Sequence, residues 1–172
     1  MTGVISNTSP LTNLAAIGQF DLLRLLYGEL LIAEAVWEEL NAGGQAWPGC
    51  EEVARADWIT IHTVTNRPLV TALRERLDPG EAETIALAVE HSPLFILMDE
   101  KEGRHAAHRF GLKTVGVVGV LIEARTRGLI AEVDYVTAQR WNMRRPVFDV
   151  IMLAEAPQVM HRQLLPLVLI DR

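Results

Sequence analysis

Residues Leu94-Phe95-Ile96-Leu97-Met98 form an unbroken apolar run, and the two residues that follow it are Asp99 and Glu100. The run is far short of the ~20 residues a membrane-spanning helix needs. It also lacks the in-out alternation of a strand with one wet face, so it suits a strand covered on both sides, as in a parallel sheet. Parallel neighbours need long crossovers, usually helices. This segment therefore constrains the chain to the α/β class and predicts acids at a strand end.

The rest of the chain agrees. Val4-Ile5-Ser6 reads as a short strand feeding a helix from about Ser9, with Leu11, Leu14 and Ala15 on one face. Phe20, Leu23, Leu26 and Tyr27 make a second amphipathic stretch, which Gly28 stops. Glu29 to Ile32 is the next strand, and Glu34 to Leu40 a helix ended by Gly43-Gly44. Asp57 to His62 alternates as a strand does, and helices follow over about Leu69–Leu77 and Pro79–His91. After the apolar run come a helix from Lys101 to Phe110, a strand over Lys113–Val115, and a helix from Gly119 to Arg127 closed by Gly128. Strands separated by helices of this length imply βαβ units. From Glu132 to Arg172 strands stop and helical segments interrupted by Pro146, Pro157 and Pro166 predict a C-terminal helical extension.

Composition bounds the function. The 172 residues suit one domain with its own core. One cysteine, Cys50, excludes an intrachain disulfide and a four-cysteine zinc site. The formal charge of −6 disfavours a protein that grips a duplex by bulk positive charge. The N-terminus has neither a basic n-region nor a long apolar h-region, and Pro166 breaks the C-terminal apolar stretch Leu164–Ile170, so a cytoplasmic chain with no membrane partner is expected.

In open α/β sheets ligands bind beyond the carboxyl ends of the strands. Asn7 follows the first strand and Asp99 and Glu100 follow the apolar run, while Glu38 and Glu39 lie on a helix that follows a strand. Asp78-Pro79-Gly80-Glu81-Ala82-Glu83 opens another helix. Four separate segments thus offer oxygen ligands, a set that suits Mg²⁺ or Mn²⁺ rather than zinc. Clustered carboxylates repel unless a cation compensates them. Each acid also has a plainer reading. Asp78-Pro79-Gly80-Glu81 is a capping box with Pro at N1; Glu83 is a solvated helix residue; Asp99 is an N-cap of the Lys101 helix. Of the consecutive Glu38 and Glu39, one faces the site and the other water.

Lys101, Arg104, His105 and His108 form a basic stripe two residues beyond Asp99, suited to phosphates or to a solvated face. Arg140, Arg144 and Arg145 form a second cluster. No G-x-S-x-G, G-x-G-x-x-G, Walker A or H-E-x-x-H motif occurs.

Four blocks, in this order and spacing, carry a resemblance. They are Val4-Ile5-Ser6-Asn7-Thr8-Ser9-Pro10-Leu11; Ala35-Val36-Trp37-Glu38-Glu39-Leu40; Gly80-Glu81-Ala82-Glu83-Thr84-Ile85-Ala86-Leu87-Ala88; and Leu97-Met98-Asp99-Glu100-Lys101-Glu102-Gly103-Arg104. The chain resembles a prokaryotic subfamily of PIN-domain proteins akin to VapC-type toxin ribonucleases, closely over residues 3 to 130 and loosely over 131 to 155. The resemblance sets a PIN-like domain over residues 1–155 and leaves 156–172 as a C-terminal tail suited to packing on a partner.

The resemblance implies a three-layer α/β/α fold with parallel strand order 3-2-1-4-5. It implies Mg²⁺- or Mn²⁺-dependent hydrolysis of RNA, an acidic site of Asn7 (usually Asp), Glu39, Glu81 and Asp99, and Glu83 joining through a second metal or a water. Ser9 would support the first position, and Lys101 or Arg104 would steady the substrate backbone. A small antitoxin protein and a second copy of the chain are the implied partners. Asn7 departs from the pattern: an amide oxygen ligates but brings no charge. The alternative is a catalytically degenerate PIN domain that binds RNA or protein and cuts nothing.

Overall fold

The computed structural model describes residues 3–42 and 47–130. Five strands, β1 (Val4–Ser6), β2 (Leu30–Ala33), β3 (Ile59–His62), β4 (Ile96–Leu97) and β5 (Thr114–Val115), form one sheet in the order β3-β2-β1-β4-β5. Every pairing is parallel. This is the order the resemblance implies. The central strands read as apolar because both faces are covered: Val4, Ile5, Leu30, Ile32, Ile96 and Leu97 are all buried.

Helices occupy the crossovers, α1 (Thr8–Ala16), α2 (Leu22–Tyr27), α3 (Glu34–Ala42), α4 (Cys50–Arg55), α5 (Arg67–Leu73), α6 (Pro79–His91) and α7 (Lys101–Arg109), and α8 (Val117–Thr126) follows β5. The sheet lies within one compact unit, Met1–Val117, and a second unit begins at Val118. Among the described residues no helix is long and apolar enough to cross a membrane. The C-terminal extension, the tail 156–172, the Arg140 cluster and the Gly43-Gly44 stop lie outside the described residues.

α6 is the central helix. Residues 80 to 88 are all buried, and the helix packs on α3, α5, α7 and β2. Its start follows from the capping box: Asp78 Oδ1 accepts from the Glu81 amide at 2.7 Å, and Glu81 Oε2 accepts from the Asp78 amide at 3.2 Å.

The structure differs from expectation at three places. The apolar run contributes only Ile96 and Leu97 to the ladder, and Leu94 at its start is 61% exposed. Two-sided cover thus applies to the end nearest the acids. α5 starts earlier than Leu69 because the Asn66 side chain accepts from the Leu69 amide and Pro68 fits the first turn. α4 was not expected; it follows Trp47-Pro48-Gly49, whose breakers mask a single turn and a half of helix.

Candidate active site

β1 and β4 are neighbours, with Ser6 opposite Leu97 and the Asn7 amide donating to the Leu97 carbonyl at 3.0 Å. The residues that follow the two strands, Asn7 on one and Asp99 and Glu100 on the other, therefore emerge side by side. Asn7 is the N-cap residue of α1, with extended backbone, yet its side chain makes no capping bond. An asparagine there ordinarily accepts from the first-turn amides. Instead Asn7 Nδ2 donates to Glu100 Oε2 at 3.0 Å, and the Ser9 hydroxyl donates to the other oxygen of Glu100. Asn7 is only 3% exposed, and its Oδ1 has no hydrogen-bond partner. A buried carbonyl oxygen without a partner is costly and calls for an explanation.

α3 and α6 bring two more acids. Glu39 turns inward while Glu38 is exposed, as their adjacency on one helix requires. Glu39 Oε1 accepts from the Gly80 amide at 2.7 Å, and its other oxygen accepts from the Thr8 hydroxyl. Glu81, 5% exposed, sits one residue further along α6. On the β4 side, Asp99 Oδ1 accepts from the Val117 amide at 2.8 Å and Oδ2 from Asn13 Nδ2 at 3.2 Å. Asp99 thus does not cap α7, whose N-cap residue is Glu100.

Three of these acids rest on glycines. A Cβ on Gly80 would lie 2.7 Å from Glu39 Oε1, one on Gly103 2.6 Å from Glu81 Oε1, and one on Gly116 2.7 Å from Asp99 Oδ1. Carbon does not approach oxygen that closely, so any larger residue would displace the carboxylate.

The acids feel one another. Burial is the main cause that pushes the Glu81 carboxyl up to about 7, with the charges of Asp78, Glu100 and Glu39 adding to it. Burial also raises Glu39, opposed by the Thr8 and Gly80 hydrogen bonds and reinforced by Asp78 and Glu100. Asp99 is raised by burial too, with Val117 and Asn13 opposing, Glu100 adding and Arg104 opposing. Perturbed carboxyl groups of this kind cluster at functional sites.

Of the residues expected from sequence, Asn7 is bonded to Glu100, and Glu39, Glu81 and Asp99 each feel the charge of Glu100. Ser9 is bound to Glu100, Arg104 lies near Asp99, and Lys101 is exposed at the start of α7. Glu83 faces elsewhere: Oε2 accepts from the Ala35 amide at 3.1 Å and Oε1 pairs with Arg67 at 2.7 Å. Sequence reasoning named Glu100 beside Asp99 but left it out of the site. Asp78 was read as the helix cap, whereas Thr8, Asn13 and the three glycines show their part only through contacts.

Among the described residues, no three carboxylate, imidazole or thiol groups stand close enough together to share an ion as they are now turned. Each carboxylate is tied instead to hydroxyl or amide donors. The donor chemistry still fits Mg²⁺ or Mn²⁺: every candidate ligand atom is oxygen, the carboxylates repel, and Asn7 Oδ1 is buried and unsatisfied.

A family model described as PIN domain matches residues 3–139. No curated protein matches the chain.

Proposed function

Because the chain belongs to the PIN-domain family, a nuclease-type fold commonly dependent on metal, we propose that it is a Mg²⁺- or Mn²⁺-dependent ribonuclease acting on single-stranded RNA. The observation that carries this reading is the unpartnered, buried Oδ1 of Asn7 among mutually repelling carboxylates at the ends of β1 and β4. In the same reading the protein is the toxin of a toxin–antitoxin pair, with a small antitoxin protein and a second copy of the chain as partners.

Asn7, Glu39, Glu81 and Asp99 would hold the ion. When bound, it supplies charge neutralisation at the phosphate and lowers the barrier to forming a hydroxide nucleophile. The chain's own residues do the rest. Glu81 is held by the Asp78 amide at Oε2, which leaves Oε1 as its oxygen for the ion. Thr8 and the Gly80 amide fix Glu39, and Asn13 and the Val117 amide fix Asp99, so neither carboxylate has to be ordered when substrate arrives. Arg104, whose charge acts on Asp99, and the exposed Lys101 would steady the substrate's phosphates. Glu83 is assigned to holding α3 to Arg67.

The test is cleavage of a single-stranded RNA oligonucleotide with Mn²⁺. The expected result is metal-dependent cleavage that EDTA stops and that Asp99→Ala reduces by roughly 100-fold or more, with Asp99→Asn as a fold control. The second reading, a binding module that cuts nothing, is favoured by the spacing of the acids, no three of which stand together among the described residues. It prevails if no cleavage occurs and no divalent ion raises the melting temperature.

A further inference from the structure

We propose that Glu100 supplies the carboxylate charge that position 7 lacks, so that the pair Asn7–Glu100 does jointly what an aspartate at the end of β1 would do alone. The inference rests on the metal-dependent reading of this site and deepens it.

Register puts the two residues together. Ser6 stands opposite Leu97 in the β1–β4 ladder, so the chains leave the sheet at the same depth. Glu100 is the N-cap residue of α7 but makes no capping bond, just as Asn7 makes none on α1. Both side chains forgo the partner their position offers and meet across the strand ends instead, at 3.0 Å. The bond has a direction. Asn7 turns its amide nitrogen to Glu100, which leaves Oδ1 as the atom facing no donor. An asparagine so held is an oriented oxygen ligand, and the carboxylate that orients it carries the negative charge. Ser9 secures the other oxygen of Glu100, so the carboxylate is fixed at both ends.

The two identities also suit each other. An aspartate at position 7 would set one carboxylate against another at hydrogen-bond distance, with no proton between them. The amide removes that repulsion and gains a charge-assisted bond. Glu100 already acts on the other acids at a distance: its charge contributes to raising Glu39, Glu81 and Asp99.

The experiment is Mn²⁺ titration by calorimetry, with thermal denaturation alongside, on four full-length proteins: wild type, Glu100→Gln, Asn7→Asp, and Asn7→Asp with Glu100→Gln. Glutamine keeps an acceptor for Asn7, so Glu100→Gln should fold. The expected result is a loss of Mn²⁺ affinity of about tenfold or more in Glu100→Gln, and recovery to within about threefold of wild type in the double variant, where the charge returns to position 7. Wild-type affinity in Glu100→Gln overturns the proposal. So does a double variant no better than Glu100→Gln. Wild-type protein that binds no Mn²⁺ overturns the nuclease reading itself, a result distinct from either.

Discussion

Glu81 shows how a single side chain serves two ends. It completes the capping box of α6 with Oε2 and remains a buried acid among other acids. Of the two alternatives in the sequence, the capping box is the one the structure contains, and it leaves the second oxygen available for the proposed site role. Its carboxyl is raised from the ordinary range to about 7, so between about pH 4.5 and 7 the folded state binds more protons than the unfolded one. Stability of the metal-free protein should therefore fall as pH rises through that window. Glu81→Gln removes the titrating charge while keeping an acceptor for the Asp78 amide. It should raise the metal-free melting temperature at pH 8, leave it little changed at pH 4, and diminish the gain that Mn²⁺ gives the wild type; thermal scans at both pH values check this. Asn7→Asp should do the reverse at pH 8: a lower metal-free melting temperature and a larger rise on adding Mn²⁺. At this scale sequence reasoning located Asp99 because an acid after a buried strand needs a partner. It passed over Glu100 because the residue's importance lies in a bond to position 7, across 93 residues of chain.

Elements were more legible than contacts. The periodicities and stop signals located β1, β2, β3, α6 and α7 to within a few residues, since each element's pattern is local. The class of the sheet followed from the apolar run, although only two of its five residues pair. α4 escaped because a six-residue helix after Pro48-Gly49 leaves too short a pattern. Glu83 shows what periodicity leaves open. Its place on α6 was plain, but not that it would reach the first turn of α3 and Arg67. Glu83→Gln should cost about 1–3 kcal/mol through the weakened ties. For a chain of this size each kcal/mol lowers the melting temperature by about 2–4 °C. Mn²⁺ affinity should stay within about twofold of wild type, and a larger loss would put Glu83 at the metal.

For the whole molecule the decisive quantity is charge. A chain with 22 acidic and 16 basic residues has few cations to spare for phosphates. If Lys101 and Arg104 are the main contacts, log affinity for single-stranded RNA should fall with log salt at a slope of about −1.4, since each neutralised phosphate of a single strand contributes about −0.7. Fluorescence anisotropy across a salt series on a cleavage-blocked variant measures it. A slope steeper than about −3 would bring in the arginines at 140, 144 and 145. The three glycines pressed against Glu39, Glu81 and Asp99 have a bearing on kinship as well. A methyl group at position 80, 103 or 116 would push a carboxylate out of its present place while leaving every acid in the sequence. Descendants of this gene could thus lose activity invisibly to any inventory of carboxylates, and the positions to check when sorting living enzymes from retired ones are those that carry no functional group at all.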